Sequence, residues 1–146
     1  MALSQPIITV LIAAIKATLA DVSSVKEVIA HPFAGSPTKF PAVVFYPVGF
    51  DNDFMSTQEN FKTYRFKLWL IISTGEYTDE EVFEEILPKA IDELLEKFDN
   101  DWDDGTIDGH RAWGLVNTGV FGKGEEEGGA TAWVEADLLI KVATNN

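Results

Sequence analysis

Between Phe61 and Leu95 the apolar residues of this chain change from the spacing of a strand to that of a helix within a few positions. In FKTYRFKLWLIIST, Tyr64, Phe66, Leu68, Leu70 and Ile72 alternate with Thr63, Arg65, Lys67, Trp69 and Ile71. Side chains alternate across a strand, so one face is continuously apolar and the other mixed. After GEYT, Thr78 and Glu81 have the spacing of a capping box. Val82, Phe83, Ile86, Leu87, Ala90, Ile91, Leu94, Leu95 and Phe98 then recur at helical spacing. The unit predicts a long strand feeding a helix that folds back on the sheet.

The same patterns extend along the chain. Residues Ser4 to Leu19 predict a helix, with Ser4 as cap, Pro6 in the first turn, and Ile7, Leu11, Ile15 and Leu19 as its apolar stripe. Val25 to His31 predicts a short strand. Pro41 to Val48 predicts a second one, which its prolines place near an edge or at strand ends. Gly49 to Asn60 reads as a long connection, a protruding hairpin arm if its flanking strands pair antiparallel. Pro88 lies inside the second helix, where it removes a donor and crowds the Glu84 carbonyl, so a kink is expected. Asp99 to Asp108 is an acidic turn, Arg111 to Phe121 a strand, Gly122 to Gly129 a polar tip, and Ala130 to Ala143 the last strand. The order predicts a single α+β domain over residues 1–146, an antiparallel sheet with two helices packed on one face.

Composition narrows the function classes. The chain has 11 basic and 24 acidic residues, a net charge of −13. That disfavours sequence-independent nucleic-acid binding, which needs Lys and Arg to neutralise phosphates. There is no cysteine, so disulfides and thiolate zinc sites are excluded. No run approaches the roughly 18 apolar residues of a membrane span, and a soluble, cytoplasmic protein is expected.

Candidate chemistry is sparse. Asp99, Asp101 and Asp103 fall at the first, third and fifth places of a calcium-loop pattern. The glycine then comes one place late, His110 stands where a bidentate Glu belongs, and Trp102 occupies a loop that must curl tightly. His31 and His110, the only histidines, lack neighbouring ligand patterns, and no nucleophile elbow, phosphate loop or dinucleotide fingerprint occurs. The expectation is no enzyme, no catalytic residue, no cofactor and no metal.

Surface remains. Arg65, Lys67, Trp69 and Ile71 share the second face of one strand; Trp133, Glu135, Asp137, Leu139 and Lys141 share that of the last. Such a mixture suits a subunit contact, and it equally suits cross-strand pairing within one molecule. Phe50, Phe54 and Met55, on the polar stretch before Asn60, either fold back or dock into a neighbour, and docking is the preferred reading.

With the amphipathic first helix, the Pro41-Ala42-Val43-Val44-Phe45 strand, the long loop ending near Asn60, the Tyr64-Arg65-Phe66 strand start, the helix ending in Leu94-Leu95 and the Glu135-Ala136-Asp137-Leu138 strand, the chain resembles the tail terminator (tail-completion, minor tail) proteins of tailed bacteriophages. Small neck proteins that join head to tail share much of this pattern. The resemblance implies a structural virion protein, assembled in the host cytoplasm as a homo-oligomeric ring, typically a hexamer. Such a ring caps the tail tube, contacts the tail tube protein and the neck or head-completion protein, and passes double-stranded DNA through its lumen without binding it. An acidic lumen would repel phosphates. Asp101, Asp103 and Asp104 at the helix end, and Glu125, Glu126 and Glu127 at the tip, are the candidates to line it. The alternatives are a head–tail connector or minor capsid subunit, a calcium-responsive binding module using the Asp99–Asp104 turn, and a small enzyme of unknown type.

Overall fold

The computed structural model describes residues 6–31, 39–54, 59–73, 78–102, 105–107, 110–126 and 129–145. In chain order these form α1 (Ile7–Ala20), β1 (Glu27–Ile29), β2 (Ala42–Phe54), β3 (Glu59–Ser73), α2 (Asp79–Glu81), a π-helical turn (Val82–Ile86), α3 (Leu87–Asp101), β4 (Gly105–Ile107), β5 (His110–Glu126) and β6 (Gly129–Asn145). One sheet holds all six strands in the order β1-β2-β3-β6-β5-β4. Every pairing is antiparallel except that β1 runs parallel to β2, so the sheet is mixed. The domain is α+β, as the periodicity requires.

The sheet is organised around β3. Its residues pair with β6 from Glu59–Asn145 to Ser73–Thr131, and with β2 from Asn60–Phe54 to Ile71–Ala42. Register places Val43 and Phe45, then Phe66, Leu68, Leu70 and Ile72, then Ala132, Val134, Ala136, Leu138, Ile140 and Val142 on one face, all buried. The helices cover that face. Ile7, Leu11, Ile15 and Leu19 of α1 and Leu87, Ala90, Ile91, Leu94 and Phe98 of α3 join the same core. The sequence stripes therefore mark the buried sides. Ser4 lies outside the described residues, and the N-cap position of α1 is Pro6, with no side-chain cap bond.

The strands run further than the apolar alternation. The stretch 49–60, expected as a long connection forming a protruding arm, is mostly ladder: β2 stays paired to Phe54 and β3 begins at Glu59. Since β6 accompanies β3 to Asn145, this end is a three-stranded continuation of the sheet. Asp51 and Asn52, both exposed, hide it from a hydrophobicity pattern. Likewise the 122–129 tip is strand up to Glu126 and again from Gly129. Pro47 sits at a bulge between Pro47 and Gly49, in the part of β2 beyond β1, where a missing N–H breaks no ladder bond.

The second helix bears out one expectation and departs from another. Its capping box forms: Glu81 N–H donates to Thr78 Oγ1 at 3.2 Å, and Thr78 N–H donates to Glu81 Oε1 at 3.5 Å. At Pro88, where a kink was expected, the structure has a π-helical turn just before the proline, which stands at the start of α3. A wider turn moves the carbonyls away from the proline ring. It also brings Val82 and Leu87, five positions apart, both into the core (0% and 1% exposed), and leaves Phe83, expected in the apolar stripe, 36% exposed.

Trp102 is the other correction. Asp99 and Asp101 are the last residues of a helix, so the calcium-loop pattern has no loop at its first places. Trp102, which seemed at odds with a tight loop, is 5% exposed. Its Nε1 donates to Thr18 Oγ1 of α1 at 2.9 Å, its carbonyl accepts from Gly114 N–H of β5 at 2.8 Å, and its ring lies against Phe98. One residue thus ties α1, α3 and β5 together. Truncation leaves a cavity and removes the indole donor to Thr18, whose hydroxyl keeps its bond to the Ala14 carbonyl, so Trp102→Ala is expected to cost about 3–5 kcal/mol in urea unfolding at unchanged m-value. Thr78→Ala is expected to cost only about 1 kcal/mol.

Candidate functional site

The second face of the sheet carries no helix among the described residues. Three rows cross it: Gly49–Arg65–Leu139–Leu115, Tyr46–Lys67–Asp137–Thr118 and Val44–Trp69–Glu135–Val120. Arg65, Lys67, Trp69, Trp133, Glu135 and Asp137, singled out from two separate strands, therefore sit side by side. Alternation within each strand supplies the face, and the β3–β6 register supplies the neighbours.

Lys67 lies at the centre. Its Nζ is 2.9 Å from Asp137 Oδ1 and 3.1 Å from Glu135 Oε1. Thr118 Oγ1 donates to the other Asp137 oxygen at 3.0 Å. Hydrogen bonds from Lys67 and Thr118 hold the Asp137 carboxyl below its ordinary pKa, and Asp137 and Glu135 hold the Lys67 ammonium above its own. Arg65 reaches toward Asp51 at 3.8 Å, folding across Gly49. Trp69 and Trp133 stand 6.3 Å apart between ring centres, and the Trp133 indole lies over Gly122, where any side chain would collide with it.

A second group at the far end of this face was missed in the sequence. Arg111 lies over Trp113 at 4.8 Å, Phe61 packs against Trp113 at 6.2 Å, and Lys141 lies over Phe61 at 4.5 Å. Alternation applied to the Arg111–Phe121 strand would have put Arg111, Trp113 and Leu115 on one face. What sequence could not give was their register against Lys141.

The other candidates scatter. Phe50 is 69% exposed but belongs to the opposite, helix-bearing face, since it pairs with Tyr64. Phe54 ends β2, and Met55 lies outside the described residues. Asp101, at the end of α3, pairs with Lys97 at 2.9 Å, and Lys97 also meets Asp21 at 2.6 Å, which lowers the Asp21 pKa. Asp103, Asp104 and Glu127 lie outside the described residues. Glu125 and Glu126 end β5, at the end of that strand away from Gly114, which bonds the residue after Asp101.

An open cleft of about 410 Å³ between residues 23–26 and the α3 side is lined by Ser23, Ser24, Lys26, Pro41, Glu85, Ile86, Lys89 and Glu93. Glu93 accepts from both the N–H and the hydroxyl of Ser24, at 3.1 and 2.5 Å, which fastens α3 to the turn after α1. His31 is exposed at the end of the β1 segment, and His110 opens β5. Neither lines this cleft. Among the described residues, no group of three or more His, Asp or Glu is placed to hold a metal ion, and no helix is long and apolar enough to cross a membrane.

The Lys67 cluster has a testable pH signature. Asp137, with its folded pKa depressed, stabilises the fold above the ordinary carboxylate range of about pH 4, and that contribution is lost as pH falls through its lower folded value. Lys67, with its folded pKa raised, contributes below about pH 10 and loses this as pH climbs through its higher folded value. Lys67→Met should cost about 1 kcal/mol at pH 7, the partial exposure of the group having been allowed for. The difference from wild type should shrink as unfolding is measured at pH 3 and then pH 2.

No protein-family model matches this chain, and no curated protein matches it.

Proposed function

We propose that this protein is a ring-forming structural subunit of a tailed-bacteriophage tail, a tail terminator that caps the tube and joins it to the head. The observation that carries this reading is the helix-free sheet face, where paired charges and half-buried tryptophans stand in one plane. Such a surface is neither the apolar layer of a missing core nor the plain polar face of a solvated sheet. Aromatic residues among paired charges are the composition of a protein contact. The acidic balance of the chain supports the passage of DNA through a ring, since like charge keeps the phosphates from adhering. The resemblance in chain order, from the first helix through the last strand, supports the placement at the tail.

The reading makes a direct prediction. The purified 16.1 kDa chain should scatter light as a closed oligomer and appear as rings with a central hole in negative stain. It should bind one end of isolated tail tubes. A species that stays monomeric at high concentration and does not assemble on tubes overturns the reading. Rings that bind tail-less heads in preference to tubes would assign the subunit to the neck.

A further inference from the structure

The sheet ends in two open edges, and nearly all the large apolar side chains that the fold leaves exposed stand on them. On one side β1 covers only Ala42, Val43 and Val44 of β2, so among the described residues 45–54 have no outer partner. On the other, β4 covers only His110, Arg111 and Ala112 of β5, and Trp102 takes the next outward N–H, that of Gly114. Beyond that, no strand of the described residues pairs along the outer side of 115–126. Val48 (52% exposed) and Phe50 (69%) stand near the middle of the first open segment; Val120 (68%) and Phe121 (60%) stand near the middle of the second. Open apolar edges of this length invite another strand unless something blunts them. Here Pro47 removes a single donor.

The two edges fit each other. The four long strands alternate in direction, so β2 and β5 run opposite ways. A second copy displaced along the sheet thus offers its β2 antiparallel to the first copy's β5. Phe50 shares the helix-bearing face with Tyr64, Ile140 and Gly114; Phe121 shares it with Val134. Setting Phe50 opposite Phe121 keeps the side chains of 49–53 on the same faces as those of 118–122, and the bulge between Pro47 and Gly49 shifts the pairing by one residue beyond it. It also keeps β1 and the β4–Trp102 corner clear of the joint. The polar groups agree: Gly114 N–H points away from β6, and the antiparallel alternation carried along that row turns the Phe50 peptide groups away from β3.

We infer that copies of this chain join edge to edge, β2 of one pairing antiparallel with β5 of the next with Phe50 opposite Phe121, to form a continuous sheet that passes from subunit to subunit. The contact is heterologous, so it closes into a ring where the rotation between copies permits. This register displaces each copy along the strand direction by about six residues, roughly 20 Å, the kind of stagger that closing a sheet demands. This rests on the ring reading for its closure, and it adds the surface through which the copies join.

The absence of cysteine makes the test clean. Asp51 and Val120 become direct neighbours across the joint, at a separation that suits a disulfide, and both are exposed. Under mild oxidation, Asp51→Cys/Val120→Cys should give a ladder of covalent oligomers ending at the ring number. A mixture of the two single variants should give dimers, and each single variant alone none. As a second measurement, Phe121→Lys should convert the oligomer to monomers with an unchanged far-UV spectrum. If rings form but the double variant gives no ladder and Phe121→Lys still forms them, the edge contact is wrong and the ring reading stands. Dimers from Asp51→Cys alone also overturn it, because they require like edges to pair. A chain that never oligomerises overturns both.

Discussion

A strand paired along nearly its whole length on both sides, with one apolar face and one charged face, can take only one phase. β3 is such a strand. A slip of one residue against β6 would turn Arg65 and Lys67 into the core and Phe66, Leu68 and Leu70 onto the surface. Two buried, unpaired cations would cost several kcal/mol each, on top of the lost apolar burial. The rest of the sheet takes its register from this strand. The row that puts Lys67 between Glu135 and Asp137 and the row that seats Phe66 on Leu138 follow from the same choice.

The helices are located by a different kind of contact. The α1 and α3 stripes would pack on any apolar sheet of suitable width, so burial alone leaves their position along it loose. Trp102 removes that freedom, because its ring, its indole N–H and its backbone carbonyl each meet a different element. Hydrogen bonds are directional where burial is not. Further back along α3, Ser24 and Glu93 do comparable work near the surface.

What could be read in advance follows from which interactions are local. The alternation in β3 and β6, the α1 stripe and the Thr78–Glu81 cap all depend on neighbours a few residues away, and all were legible. Strand ends were not, because Asp51, Asn52 and the glycines of β5 extend the ladder without burying anything that a hydrophobic pattern could register. Three-residue strands such as β1 and β4 exist only because a longer strand offers an edge. Trp102 could be misread as a loop residue because its partners, Thr18 and Gly114, are remote in sequence on the one side and hidden in a glycine on the other. The members of the charged face were legible strand by strand. Their adjacency was a matter of register, and the Arg111–Trp113–Phe61–Lys141 group, drawn from three strands, was missed for that reason.

The π-helical turn before Pro88 has a consequence for how this fold can vary. A π turn holds one more residue than an α turn over nearly the same rise, so it behaves as an insertion that the helix has absorbed. Upstream of it the helix answers to β3 through the short link it follows; downstream it answers to α1 and Trp102. Because the turn lies between these anchors, a residue gained or lost at 82–86 would rotate Val82 and Phe83 while leaving the Leu87–Phe98 stripe seated. The turn is a joint in the alignment between the two halves of the chain, at which length can change without the sheet or the helix layer having to move.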